Sequence, residues 1–106
     1  MNSVPSTIYR VEITSRAARD LELLYDYIQA ETAPQAATWF NGLEAAVFSL
    51  DQLPERGAFA PGSKTRRQIL YGSKPYVYRI VYVIRLKDRV VSVIYIRHSA
   101  RRIFTR

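Results

Sequence analysis

The spacing of apolar residues changes twice along this chain. Over residues 8–13 apolar and polar positions alternate. Tyr9, Val11 and Ile13 point one way and Arg10 and Glu12 the other, which predicts a short half-buried strand. Thr14 or Ser15 then offers an N-cap oxygen, and Leu21, Leu24, Tyr25 and Ile28 recur at i, i+3, i+4 and i+7, the mark of a helix. Pro34 closes that helix and opens a second, because the N–H it lacks would be unpaired in a first turn anyway. In the second helix Ala36, Phe40, Leu43, Val47 and Leu50 make one stripe, with Trp39 and Ala46 at its edge and Pro54 marking its end. Gly57, Pro61 and Gly62 make residues 55–63 an exposed loop. Three segments dense in β-branched and aromatic residues follow, over 66–71, 76–84 and 90–96, with turns at 72–75 and 86–89.

The predicted order is β-α-α-β-β-β. It describes an α+β domain in which a helical hairpin packs on one face of a mainly antiparallel four-stranded sheet. At 106 residues the chain holds one core, so residues 8–106 are read as a single domain behind a flexible N-terminus, 1–7. A hydrophobic content of 48% is that of a globular protein and argues against disorder. The absence of cysteine removes disulfides, thiolate metal sites and a cysteine nucleophile. No run of about 18 apolar residues is present to span a membrane. Residues 1–7 are polar, interrupted by Pro5 and without the apolar core of a secretion signal. The expected location is the cytoplasm, with no membrane partner.

Charge sharpens this picture, because it is divided along the chain. Residues 1–55 carry three basic and eight acidic side chains, a net of −5; residues 56–106 carry thirteen basic ones and the single acid Asp88, a net of +12. So uneven a field attracts opposite charge over roughly 8 Å in cell salt, so the C-terminal half should face a polyanion, whether nucleic acid or an acidic protein.

Within that half, Lys64, Arg66 and Arg67 form one cluster and Arg97, Arg101 and Arg102 another, both suited to phosphates or carboxylates. Tyr71, Tyr76, Tyr78, Tyr82 and Tyr95 are interleaved with them and belong mostly to the core. Arg79 stands out because it lies between Val77 and Val81 on an otherwise apolar strand. Such a charge needs a partner, for example Glu12, or a cleft in which it holds a phosphate or a developing negative charge. His98, the only histidine, follows Arg97 and is the candidate general base. One histidine without a carboxylate cluster gives no metal site, and no Gly-rich phosphate loop or other cofactor motif is present.

The segment Tyr78-Arg79-Ile80-Val81-Tyr82, a polar turn, a second apolar strand and the ending Ile96-Arg97-His98-Ser99-Ala100-Arg101-Arg102 resemble the RelE/ParE superfamily of bacterial toxins. The opening strand at Tyr9 to Thr14 and the run from Leu70 to Ile80 agree with it, so the resemblance spans residues 8 to 103. It implies the β-α-α-β-β-β fold and a toxin neutralised by a cognate acidic antitoxin that wraps it. RelE-like members cut mRNA on the ribosome, and in that case Arg79 and His98 would be the catalytic residues. ParE-like members poison DNA gyrase and need no nuclease centre. The C-terminal motif is closer to ParE, so gyrase is the expected target, with Lys64, Arg66, Arg67, Arg97, Arg101 and Arg102 as the contact residues. The alternatives are an mRNA endoribonuclease and a non-toxic nucleic-acid-binding module. Because a ligand of the native state alone raises stability, a saturating acidic antitoxin should raise the thermal midpoint of the isolated chain. Melts with and without the neighbouring gene product measure this, and an unchanged midpoint would contradict it.

Overall fold

A computed structural model of the protein describes residues 8–99. The N-terminal segment 1–7, expected to be flexible, and the cations Arg101 and Arg102 lie outside them. The chain forms β1 (Arg10–Ile13), α1 (Ser15–Tyr27), α2 (Pro34–Phe48), two short 3-10 turns at Ser49–Asp51 and Pro54–Arg56, then β2 (Ala58–Phe59), β3 (Arg66–Tyr71), β4 (Tyr78–Arg85) and β5 (Val90–His98). The sheet has five strands in the order β1-β5-β4-β3-β2, with β1 parallel to β5 and every other pair antiparallel. The expected helix positions and the mainly antiparallel sheet are both present. The strand the sequence pattern missed is β2, whose two residues inside a Gly- and Pro-containing loop are too few to show an alternation. The second helix stops at Phe48 rather than running to Pro54; the 3-10 turn at Ser49–Asp51 carries the chain onward and keeps Leu50 buried.

One face of the sheet carries the core. Val91, Val93 and Ile96 of β5 and Tyr78, Ile80 and Tyr82 of β4 meet Ala17 and Leu24 of α1 and Phe40, Leu43 and Val47 of α2. The helices form a hairpin in which Tyr25 meets Phe40 edge to face, ring centres 5.1 Å apart. Two glycines allow tyrosines to close this layer. A Cβ on Gly42 would collide with the Tyr71 hydroxyl, which donates to the Trp39 carbonyl at 2.9 Å. A Cβ on Gly57 would collide with the Tyr82 hydroxyl, which donates to the Pro54 carbonyl. Burial pushes the Tyr82 phenol above its ordinary pKa, so it remains a donor that ties the loop after α2 to the sheet. Among the described residues no helix is long and apolar enough to cross a membrane.

Leu43 is fully enclosed where α2 meets the sheet. Its truncation to alanine should cost about 2–5 kcal/mol, through lost transfer energy and the cavity left behind. Urea unfolding of Leu43→Ala measures this, and a loss well below that range would mean the helix layer collapses onto the gap.

Candidate functional site

The site begins with a fault in the alternation of β5. Val93 pairs with Tyr82 and Tyr95 pairs with Val81, so Ile94 is an extra residue, a β-bulge. Val91 and Val93 face the helices before it, and Ile96 and His98 face them after it, opposite Ile80 and Tyr78. Tyr95 and Arg97 are thereby turned to the other, helix-free face. Three groups at the start of α1 hold the bulge. The Thr14 N–H donates to the Val93 carbonyl at 3.1 Å, and the Thr14 hydroxyl lies 2.8 and 3.0 Å from the Val93 and Ile94 carbonyls. The same oxygen accepts from the Ala17 N–H as the helix N-cap, and Asp20 Oδ2 accepts from the Ile96 N–H at 2.9 Å.

On the helix-free face the register sets out cross-strand rows. One runs Ala58, Gln68, Val81, Tyr95, and the next runs Leu70, Arg79, Arg97. Arg79 and Arg97 are direct cross-strand partners, a like-charged pair that costs stability unless something anionic sits between or above them. Arg79 donates to the Ser99 carbonyl at 3.4 Å, a weak tie. The guanidiniums of Arg97 and of Arg16, from the first turn of α1, lie 4.7 and 4.6 Å from the centre of the Tyr95 ring. Gln68, two strands away in the Tyr95 row, has its Oε1 buried without a hydrogen-bond donor. The ion pair on this face is Arg10–Glu12 at 2.8 Å, so Glu12 is engaged by Arg10 and is not the partner of Arg79 that the sequence allowed.

The expected contact residues are divided by this geometry. Arg66 faces the same side as Arg79, in the row with Val83 and Ser92. Arg67 points the other way: it donates to the Glu55 and Gly57 carbonyls at 3.1 and 2.8 Å and lies over the Phe59 ring, so it fastens the loop. Lys64 is exposed, on the lip of a shallow hollow with Phe59, Arg67 and Leu86. His98 lies on the helix side, its ring 5.0 Å from that of Tyr78, at the edge of a hollow of about 440 Å³ bordered by Asp20, Leu23 and Tyr27. Arg79 and His98, read as one possible catalytic pair, therefore face opposite sides of the sheet. Arg16 and Gln68 were not among the candidates. The one signal for the reversal was the unbroken apolar run 93–96, where a strict alternation slips. Among the described residues no group of histidines and carboxylates could hold a metal ion.

The sequence matches, over residues 11–103, the family model described as the ParE toxin of type II toxin–antitoxin system, parDE. No curated protein matches it. Among solved structures it is similar to a chain of the chromosomal ParDE toxin–antitoxin system from P. aeruginosa, with a TM-score of 0.67 and 21% identity over 88% of this chain and 98% of that one. A mutant of the E. coli toxin RelE in the free state gives 0.62 at 19% identity, over 88% and 85%. A chain of the intact E. coli RelBE toxin–antitoxin complex gives 0.62 at 20%, over 88% and 99%. These likenesses are of fold.

Removing the Asp20 carboxylate should cost about 1–3 kcal/mol, because the Ile96 N–H it accepts loses its partner in a part-buried position. Asp20→Asn, which keeps an acceptor, should lose less than Asp20→Ala in urea unfolding. Equal losses would mean that the hydrogen bond is not what Asp20 contributes.

Proposed function

The chain belongs to the ParE toxin family of type II toxin–antitoxin systems, and from that premise we propose that it arrests growth in the cytoplasm by poisoning DNA gyrase. Its contact with the target is the helix-free face bearing Arg79, Arg97 and Arg66, and a cognate acidic antitoxin silences it. The observation that carries this reading is the separation of Arg79 from His98. Cutting RNA needs the 2′-hydroxyl deprotonated, the phosphorane charge neutralised and the leaving oxygen protonated, all about one phosphate. Arg79 stands beside Arg97 on one face, while His98 stands beside Tyr78 on the other. A poison needs only a surface that holds its target, and a face of guanidiniums around a tyrosine ring supplies one. The ribonuclease alternative, acting on mRNA at the ribosome, retains Arg79 as the phosphate holder and requires His98 to serve it from across the sheet.

Two variants separate these readings. His98→Ala should keep its growth inhibition, and purified gyrase treated with it should still accumulate cleaved DNA. Charge reversal of Arg79 and Arg97 together should lower potency at least roughly tenfold with an unchanged unfolding midpoint, as loss of a charged contact does. A folded His98→Ala protein that no longer arrests growth, set against a wild type that cuts transcripts, would overturn the gyrase reading in favour of the nuclease.

A further inference from the structure

The helical layer carries a second surface of opposite character. Between α1 and α2 runs a groove of about 480 Å³ whose walls include Leu21, Tyr25, Phe40 and Phe48 and whose lips include Glu22 and Glu44. Phe48 is 51% and Tyr25 36% exposed, too much apolar surface for a finished helix pair. No lysine or arginine occurs from Asp20 to Glu55, so the cations of the two helices are Arg16 and Arg19 at the start of α1. Neither Glu22 nor Glu44 is in an ion pair, since Arg10–Glu12 is the one pair among the described residues.

The chain also carries a matching knob. The turn between β4 and β5 projects Leu86, 65% exposed, flanked by the exposed cations Arg85 and Lys87. Two backbone hydrogen bonds, Asp88 N–H to the Arg85 carbonyl and Arg89 N–H to the Leu86 carbonyl, both 3.2 Å, close the turn, so the knob is presented already shaped. Within one copy Leu86 borders Glu55, Phe59 and Arg67, none of which lines the interhelical groove. Knob and groove of one molecule are therefore separate surfaces.

We propose that the isolated chain associates with a second copy of itself by seating the Leu86 turn of one molecule in the α1–α2 groove of the other. Leu86 meets Phe48 and Tyr25 there, and Arg85 and Lys87 meet Glu22 and Glu44. The contact joins two different patches, so it is heterologous and either closes reciprocally in a pair or repeats along a row. One turn in one groove buries less than the roughly 1,000 Å² of a stable interface, so the association is weak and grows with concentration. It does not depend on the target of the toxin, because it uses neither Arg79 nor Arg97.

Charge swapping tests it on the full chain, with sedimentation velocity as the readout across a wide concentration range. Wild type should shift above monomer mass as concentration rises. Glu22→Lys with Glu44→Lys, and separately Arg85→Glu with Lys87→Glu, should each stay monomeric, because like charges then face each other. An equimolar mixture of the two double variants should associate again, since each restores the opposite charge to the other. All four sites are exposed, and far-UV circular dichroism checks the fold of each variant. If a reversed pair fails to fold, the neutral Glu22→Gln with Glu44→Gln and the single Leu86→Ser replace it and should each lower the association constant roughly tenfold. A wild type that stays monomeric throughout, variants that associate as well as it does, or a mixture no larger than its components would each overturn the proposal.

Discussion

The arrangement of both faces depends on how the Ile94 bulge is held. With a regular β5, the alternation that buries Val91 and Val93 would continue to Tyr95 and Arg97 and drive a guanidinium into the helix layer, while Ile96 would be expelled to solvent. Burying that charge unpaired would cost far more than the bulge does. The bulge prevents this but disrupts the ladder locally, leaving backbone groups that the neighbouring strand does not pair. Thr14 and Asp20 take them up from the first two turns of α1, with Thr14 also capping that helix. One set of hydrogen bonds thus starts the helix, docks it on the central strand and turns Tyr95 and Arg97 outward. Arg16, two residues after the cap, is carried with the helix to the rim of the same face, where it lies over Tyr95.

Much of this was legible in the residues, and the gaps have physical reasons. The stripe of Phe40, Leu43 and Val47 is buried as its period requires, and Thr14 and Pro34 start the helices as their side chains dictate. Local chemistry settles these features, so a local reading finds them. β2 was hidden because two residues are held by pairing with Gln68 and Arg67 rather than by any preference of their own. The candidate site was legible as a charge excess but not as a geometry. Lys64, Arg66 and Arg67 are close in sequence, yet strand alternation sends Arg66 and Arg67 to opposite faces, and Arg67 ends on loop carbonyls. The pairing of Arg79 with Arg97 is a matter of register, and Arg16 joins them only through the docking of α1.

The uneven charge of the sequence becomes a polarity between layers. The helical layer supplies acids without cations other than Arg16 and Arg19 at the start of α1, and the sheet supplies cations with little to balance them. Cross-strand arginines repel at short range, and the excess positive charge of the sheet half opposes its own compaction. A fold that keeps such a face gives up stability that any anion bound to it restores. On the function proposed above, the same face would meet the target and would also be the one that an acidic antitoxin neutralises.

Which chemistry that face can perform follows from what stands around Arg79. A guanidinium fork holds an oxyanion in two places and stays charged while doing so, which suits it to bind and stabilise but not to accept a proton. The proton acceptor for a hydrolytic step would have to come from the neighbouring rows. Among the described residues these offer Gln68, Tyr95, Ser92 and one carboxylate, Glu12, whose oxygen is held by Arg10 at 2.8 Å. The one imidazole is kept from them by the parity of β5, since His98 is the immediate neighbour of Arg97 and adjacent strand residues point to opposite faces. Restoring it to the face of Arg79 would take a second one-residue slip in the strand, and that would bury Arg97 in its place. Among the described residues, Arg79 and Arg97 thus place anion-binding groups on a face that His98 does not share, an arrangement that supports the proposed reading of this face as one that grips a partner.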